Sequence, residues 1–195
     1  MADKPVKRTG KSLRTMQRIL DSAAQEFAAH GMTGARVERI ADNADAKKPR
    51  IYDYFGDKQG LFQAVMHREL SDSSTAVPFD ARHLPEYAGR LFDYAQDHPI
   101  LMRLMMWNAL ETNSKNPHVS NLDRHVEAIR EQQDKGIVSL ANSAEFILTL
   151  IVSLVSAFST VNFVGSTALE TLKEKKDALR DSIVETVRMI CENKR

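Results

Sequence analysis

With one cysteine, Cys191, the chain can form no internal disulfide and no Cys-based zinc cluster. Its N-terminus is polar and charged, without the apolar stretch of a secretory signal. Both absences predict a cytoplasmic protein. Only 8 Gly and 6 Pro in 195 residues, with aromatics at 7%, are too few for the turns and aromatic-rich strands of an all-β fold. No phosphate-binding glycine loop, G-x-S-x-G or H-E-x-x-H occurs, and the six histidines include no i,i+4 pair of the kind helical metal sites favour. Hence no catalytic residue, metal site or cofactor is predicted. What is present, 43% apolar and 27% charged residues, excludes disorder as the default state and supplies core for one domain or two small ones. The expected class is all-α.

A net charge of +1 conceals a division along the chain. Residues 1–68 hold 13 Lys/Arg against 8 Asp/Glu, a net +5, whereas residues 69–195 hold 14 against 18, a net −4. Within 1–18, Lys4, Lys7, Arg8, Lys11, Arg14 and Arg18 face Asp3 alone, so the excess sits in an arm and at the start of the first helix. Such an arm suits a polyanion, although charge runs are most commonly just solvated.

Hydrophobic spacing organises the rest. Leu13, Met16, Ile19, Leu20, Ala23, Ala24, Phe27 and Ala28 recur at three and four, an amphipathic stripe that stops at His30-Gly31. Val37, Ile40 and Ala41 mark a second helix of two turns. A third, 49–55, opens with Pro49, and Gly56-Asp57 caps a fourth carrying Leu61, Phe62, Val65, Met66 and Leu70. Polar residues at 71–75 and Pro78 predict a break between a head and a body. In the body, helices are expected over 81–97 and 99–112, then to Lys135-Gly136 after a loop at 113–120. A capping box of Asn142 and Glu145 then opens a long apolar helix that fades at Gly165, and the last helix covers 168–193. That makes about nine helices. The charge-free run 146–164 has 19 residues, enough to cross a bilayer, yet six are polar and no interfacial anchors bracket it. No membrane span is expected. Thr149, Ser153, Ser156, Ala157 and Thr160 form a small-residue seam on one face, fit for close approach of another helix, so the segment reads as central or subunit-facing.

The two short helices joined at 44–47 match a helix-turn-helix, in which the first braces the second against a major groove. The second presents Lys47, Lys48 and Arg50, then Tyr52, Asp53 and Tyr54, with Pro49 stiffening its first turn. Arg and Lys donate to guanine O6 and N7, Asp accepts from cytosine N4, and Tyr hydroxyls and ammonium groups hold phosphates. The plainer alternative is core at Ile51 and Phe55 beneath a merely solvated charged face. Spacing alone does not decide between them.

Residues 14–65 resemble the N-terminal DNA-binding domain of TetR-family transcriptional regulators. The resemblance rests on I-L-x-x-A-A-x-x-F-x-x-x-G at 19–31, V-x-x-I-A at 37–41 and I-Y-x-Y-F-x-x-K-x-x-L-F at 51–62. It implies double-stranded DNA with a palindromic operator as partner, recognition-helix positions for Lys48, Pro49, Arg50, Tyr52, Asp53 and Tyr54, and phosphate contacts for Tyr52, Tyr54 and Lys58. Three departures matter. Arg36 stands where the family usually caps its second helix with Ser or Thr, so the cap is lost while a cation for phosphate is gained. Asp45 replaces the turn glycine but tolerates a left-handed conformation better than most residues. Lys47 replaces a usual Ser.

The resemblance also implies a helical ligand-binding and dimerisation body, hence a homodimer, most often a repressor, relieved by a small molecule. The expected divisions are an arm at 1–12, the DNA-binding domain at 13–56, a connecting helix at 57–75 and the body at 76–195. Methionines adapt to varied shapes, so a mainly apolar effector is expected near Met102, Met106, Trp107 and Phe146, with Asn108 or Glu111 for polar contact. Ordinary core is the competing reading of those residues. An activator, or a helical enzyme or adaptor without DNA binding, are the alternative functions.

Overall fold

The computed structural model describes residues 10–111, 119–158 and 176–192. These form nine helices and no strand, as the composition and spacing predict: α1 (Gly10–Gly34), α2 (Val37–Asn43), α3 (Lys48–Phe55), α4 (Lys58–Ala76), α5 (Leu84–Asp97), α6 (Pro99–Glu111), α7 (Val119–Asp134), α8 (Ala144–Ala157) and α9 (Lys176–Cys191). None is long and apolar enough to cross a membrane.

Two cores result. In the head, the α1 stripe Ile19, Ala23 and Phe27 is fully buried against Ile40 of α2, Ile51 of α3 and Leu61 and Val65 of α4, with Phe27 edge-on to Phe62 at 5.1 Å between ring centres. In the body, Phe92 of α5, Ile129 of α7, Ile147 and Ile151 of α8, and Ile183 and Val187 of α9 are buried together. Between them lies α6, whose Leu104 completes the head core while Met102 joins the body's. Cys191 is buried, which pushes its thiol up to about 11 and leaves it unreactive.

The helix ends differ from the sequence expectation where side chains or turns act locally. At its start α1 takes in Gly10, three residues before the apolar stripe, and at its end it is broken by Gly31 (φ 67°, ψ 178°). No helix break follows Leu70. The polar run stays helical, the hydroxyls of Ser74 and Thr75 donating back to the Ser71 carbonyl at 2.9 Å each, until Val77, where the following Pro78 disfavours the α conformation. The start of α5 waits for Leu84 because Asp80 accepts from the Arg82 N–H at 3.0 Å and holds 80–82 in a turn. Asn142 does not cap α8. Its carbonyl is taken by Gln133 Nε2 at 2.8 Å, and the cap falls one residue later on Ser143, whose hydroxyl accepts from the Phe146 N–H at 3.2 Å. The sequence-predicted stretches 159–165 and 168–175, with Thr160 of the seam, lie outside the described residues.

Candidate nucleic-acid interface and the cavity behind it

The turn between α2 and α3 is a Schellman motif. Ala46 N–H reaches the Ala41 carbonyl at 2.9 Å and Asp45 N–H the Asp42 carbonyl at 3.1 Å, with Asp45 left-handed at φ 45°. Arg18 of α1 braces this strained residue from outside, donating to its carboxylate at 3.2 Å and its carbonyl at 3.1 Å. From that turn α3 emerges with Ile51 fully buried and Lys47, Lys48, Pro49, Arg50, Tyr52 and Asp53 exposed as one ridge.

Weak mutual contacts order the ridge. Lys48 Nζ lies 2.5 Å from Glu38 Oε1 and 5.9 Å from the centre of the Tyr52 ring, and the pairing holds the ammonium above, and the Glu38 carboxyl below, their ordinary values. Arg50 sits 3.8 Å from Asp53 and 5.6 Å from the Tyr54 ring centre. Tyr54 is half-buried, its hydroxyl bonded to Ser12 Oγ at 2.9 Å, which ties the start of α1 to the end of α3. Exposed, screened pairs of this kind exchange readily for a phosphate or a base edge. Lys47 is the extended N-cap residue of α3 and makes no side-chain cap bond.

Lys58 sits differently from what a phosphate role suggests, whereas Arg36 stays open to one. Lys58 donates to the carbonyls of Thr33 at 3.3 Å and Ala35 at 3.1 Å, fixing the start of α4 to the α1–α2 junction. Arg36 is exposed at the N-cap of α2 without a side-chain cap, and its backbone N–H donates to Glu26 Oε1 at 2.8 Å. Glu26, 7% exposed, also receives Arg39 in a fork, Nε at 2.9 Å and Nη2 at 2.5 Å. Sequence reasoning passed over Glu26 and Arg39. The available signal was a carboxylate at i+7 from Ile19 and i+3 from Ala23, on the stripe that must be buried.

Behind the head, a cavity of about 500 Å³ opens between α4, α5, α6 and α7. Met105, Asn108 and Ala109 of α6 line it, but Met102, Met106, Trp107, Glu111 and Phe146 do not. Trp107 and Glu111 face the other way, onto α1. Trp107 Nε1 and Arg103 Nε both donate to the Ala28 carbonyl, at 3.2 and 2.8 Å, and the Glu111 carboxylate accepts from the N–H groups of Met32 at 2.7 Å and Thr33 at 3.2 Å. The positive φ and close approach at this junction require glycine: a Cβ on Gly31 would stand 2.8 Å from Trp107 Cε3 and 2.9 Å from Glu111 Oε1. Met106 is exposed, and Phe146 is 51% exposed on the outward face of α8.

Family models match both regions: one described as bacterial regulatory proteins, tetR family, over residues 19–65, and one described as tetracyclin repressor-like, C-terminal domain, over residues 83–189. The chain is 35% identical over 181 residues to the HTH-type transcriptional repressor SCO4008 of Streptomyces coelicolor, covering 90% of this chain and 94% of that protein. To the HTH-type transcriptional repressor AcnR of Corynebacterium efficiens it is 25% identical over 179 residues, 89% and 94% of the two chains. Its fold is similar to the crystal structure of the putative transcriptional regulator SCO4942 from Streptomyces coelicolor, with a TM-score of 0.82 at 31% identity over 92% of this chain and 99% of that one.

Proposed function

The chain belongs to the TetR family of bacterial transcriptional regulators, and from that membership we propose a homodimeric repressor that reads a palindromic operator with paired α3 helices and is released by a small, mainly apolar effector. The observation that carries the DNA reading is the exposed ridge of α3 on a braced turn. Lys48 and Arg50 donate to base edges, with Asp53 available to accept from cytosine, while Tyr52, Tyr54, Lys47 and Arg36 anchor phosphates. Lys58 acts indirectly, because reaching a phosphate would require it to leave Thr33 and Ala35. Repression is supported by the descriptions of the two near-full-length relatives, and a DNA-reading regulator works in the cytoplasm, where a bacterial chromosome lies.

The cavity supports the effector reading through position. Its walls include the C-terminal half of α4 and one face of α6, and both helices run into the head. A ligand that fits better when these walls shift must favour that state, and operator DNA must weaken the ligand by the same factor. Selecting bound duplexes from a random pool tests the reading. An inverted repeat should emerge, its half-sites about 34–36 Å apart or a near multiple. Arg50→Ala should then cost about 1–3 kcal/mol at one position of each half-site. No enriched palindrome, or an Arg50→Ala variant with unchanged specificity and salt dependence, would overturn it.

A further inference from the structure

Fifteen described residues line the cavity, and Lys, Arg, Asp and Glu are absent from these. Two of its polar groups are accounted for: the Ser74 hydroxyl turns back to the Ser71 carbonyl at 2.9 Å, and Asn108 is engaged. Tyr87 is different. It is 7% exposed, it lines the cavity, and its hydroxyl has no hydrogen-bond partner among the described residues. No buried side-chain polar atom among the described residues lacks a partner, so this hydroxyl is still open to the cavity, where a ligand group can take the place of water as its partner. Burial raises the Tyr87 pKa, keeping the hydroxyl protonated.

Phe79 stands beside it, edge-on to Tyr87 at 5.0 Å and 79°, and stacked on His125 of α7 at 4.0 Å and 13°. Three rings thus make one corner of the cavity. Desolvation lowers the His125 pKa from 6.5, so at neutral pH its imidazole is uncharged and offers no counter-ion to an acid. No carboxylate among the described lining residues offers one to a cation. Among the described lining residues the ionisable groups that could answer a charge are two imidazoles, His67 and His125, so a cation finds no counter-charge and an anion no Lys or Arg side chain in the lining.

Resting on the reading that this cavity holds the effector, we propose that the effector is an uncharged aromatic molecule whose ring packs into the corner of Phe79, Tyr87 and His125 and whose hydroxyl or carbonyl bonds the Tyr87 hydroxyl. A volume of about 500 Å³ suits such a molecule.

Calorimetric titration of the full chain at neutral pH with 4-phenylphenol, biphenyl and biphenyl-4-carboxylate tests this. The phenol should bind roughly tenfold or more tighter than the carboxylate. Tyr87→Phe, which keeps the edge-on ring contact, should weaken the phenol about 2- to 12-fold and leave biphenyl within about twofold. A carboxylate that binds as tightly as the phenol overturns the uncharged class, and equal losses for phenol and hydrocarbon overturn the hydrogen bond. Both results leave the cavity itself standing. Ala109→Trp, which fills the cavity from an exposed position on α6, should abolish binding of all three probes. Probes that never bind, or that bind this variant undiminished, overturn the inference and the cavity reading together, while the duplex selection stands apart from both.

Discussion

One buried carboxylate sets the geometry of the head. Glu26 collects the Arg36 N–H and the Arg39 guanidinium, so α1 fixes the start of α2, which has no side-chain cap of its own. Burial alone would raise its pKa; the Arg39 hydrogen bond, the Arg36 N–H and the Arg39 charge outweigh burial and hold it below 4.5. A carboxyl depressed on folding stabilises fully above its unfolded value and loses that contribution as pH falls through its lower folded value. Glu26→Gln should therefore cost about 1–3 kcal/mol at neutral pH, read from urea midpoints. The gap between variant and wild type should close once pH has dropped well below 4.5, where both side chains are neutral. A gap of constant size across that range would assign the effect to shape alone. The buried position of Glu26 is legible in the α1 stripe, but its partners are not, because Arg39 reaches it from another helix. Lys58 shows the same limit. Its motif position is plain in the sequence, yet that its ammonium lies on the carbonyls of Thr33 and Ala35 emerges only from packing.

Among the elements, α6 joins cavity to head. Met105, Asn108 and Ala109 line the cavity, while Arg103, Trp107 and Glu111, spaced at i, i+4 and i+8, grip the end of α1 around Gly31. A ligand that moves the first face must move the second, since one rigid helix carries both. Glu111→Ala frees the N–H groups of Met32 and Thr33 and removes the strongest grip. With 4-phenylphenol as probe, the drop in operator affinity on saturation should shrink several-fold in this variant, measured by anisotropy of labelled operator duplex with and without the probe. An undiminished drop would route the coupling through α4 alone. The head helices were legible because their apolar residues fall on narrow stripes ended by Gly31, Asp45 and Gly56. The cavity was not, because α6, PILMRLMMWNALE, is apolar almost all round. No stripe then distinguishes the side facing α1 from the side facing open space, and Trp107 and Glu111 read equally well as either.

For the whole molecule, charge bears on the approach to DNA and exposed surface on pairing of two chains. A head half at +5 and a body half at −4 orient the chain head-first toward a phosphate backbone and keep the body away from it. In the body, α8 presents Phe146, 51% exposed, in line with exposed Thr149 and Ser153, and α9 presents Met189, 59% exposed. In a twofold dimer formed through these faces each substitution enters twice, so one charge meets its own copy across the axis. Ser153→Glu is suited to the test, since Ser153 is exposed and the variant leaves the single chain's core intact. Sedimentation should show monomer at concentrations where the wild type is dimeric. A monomer grips one half-site and displaces about half the counterions, so its log–log salt slope on operator should fall to roughly half the wild-type value. The two readouts are independent: a dimer that persists moves the interface elsewhere, whereas a monomer with an unchanged slope would mean that a single head already makes all the phosphate contacts.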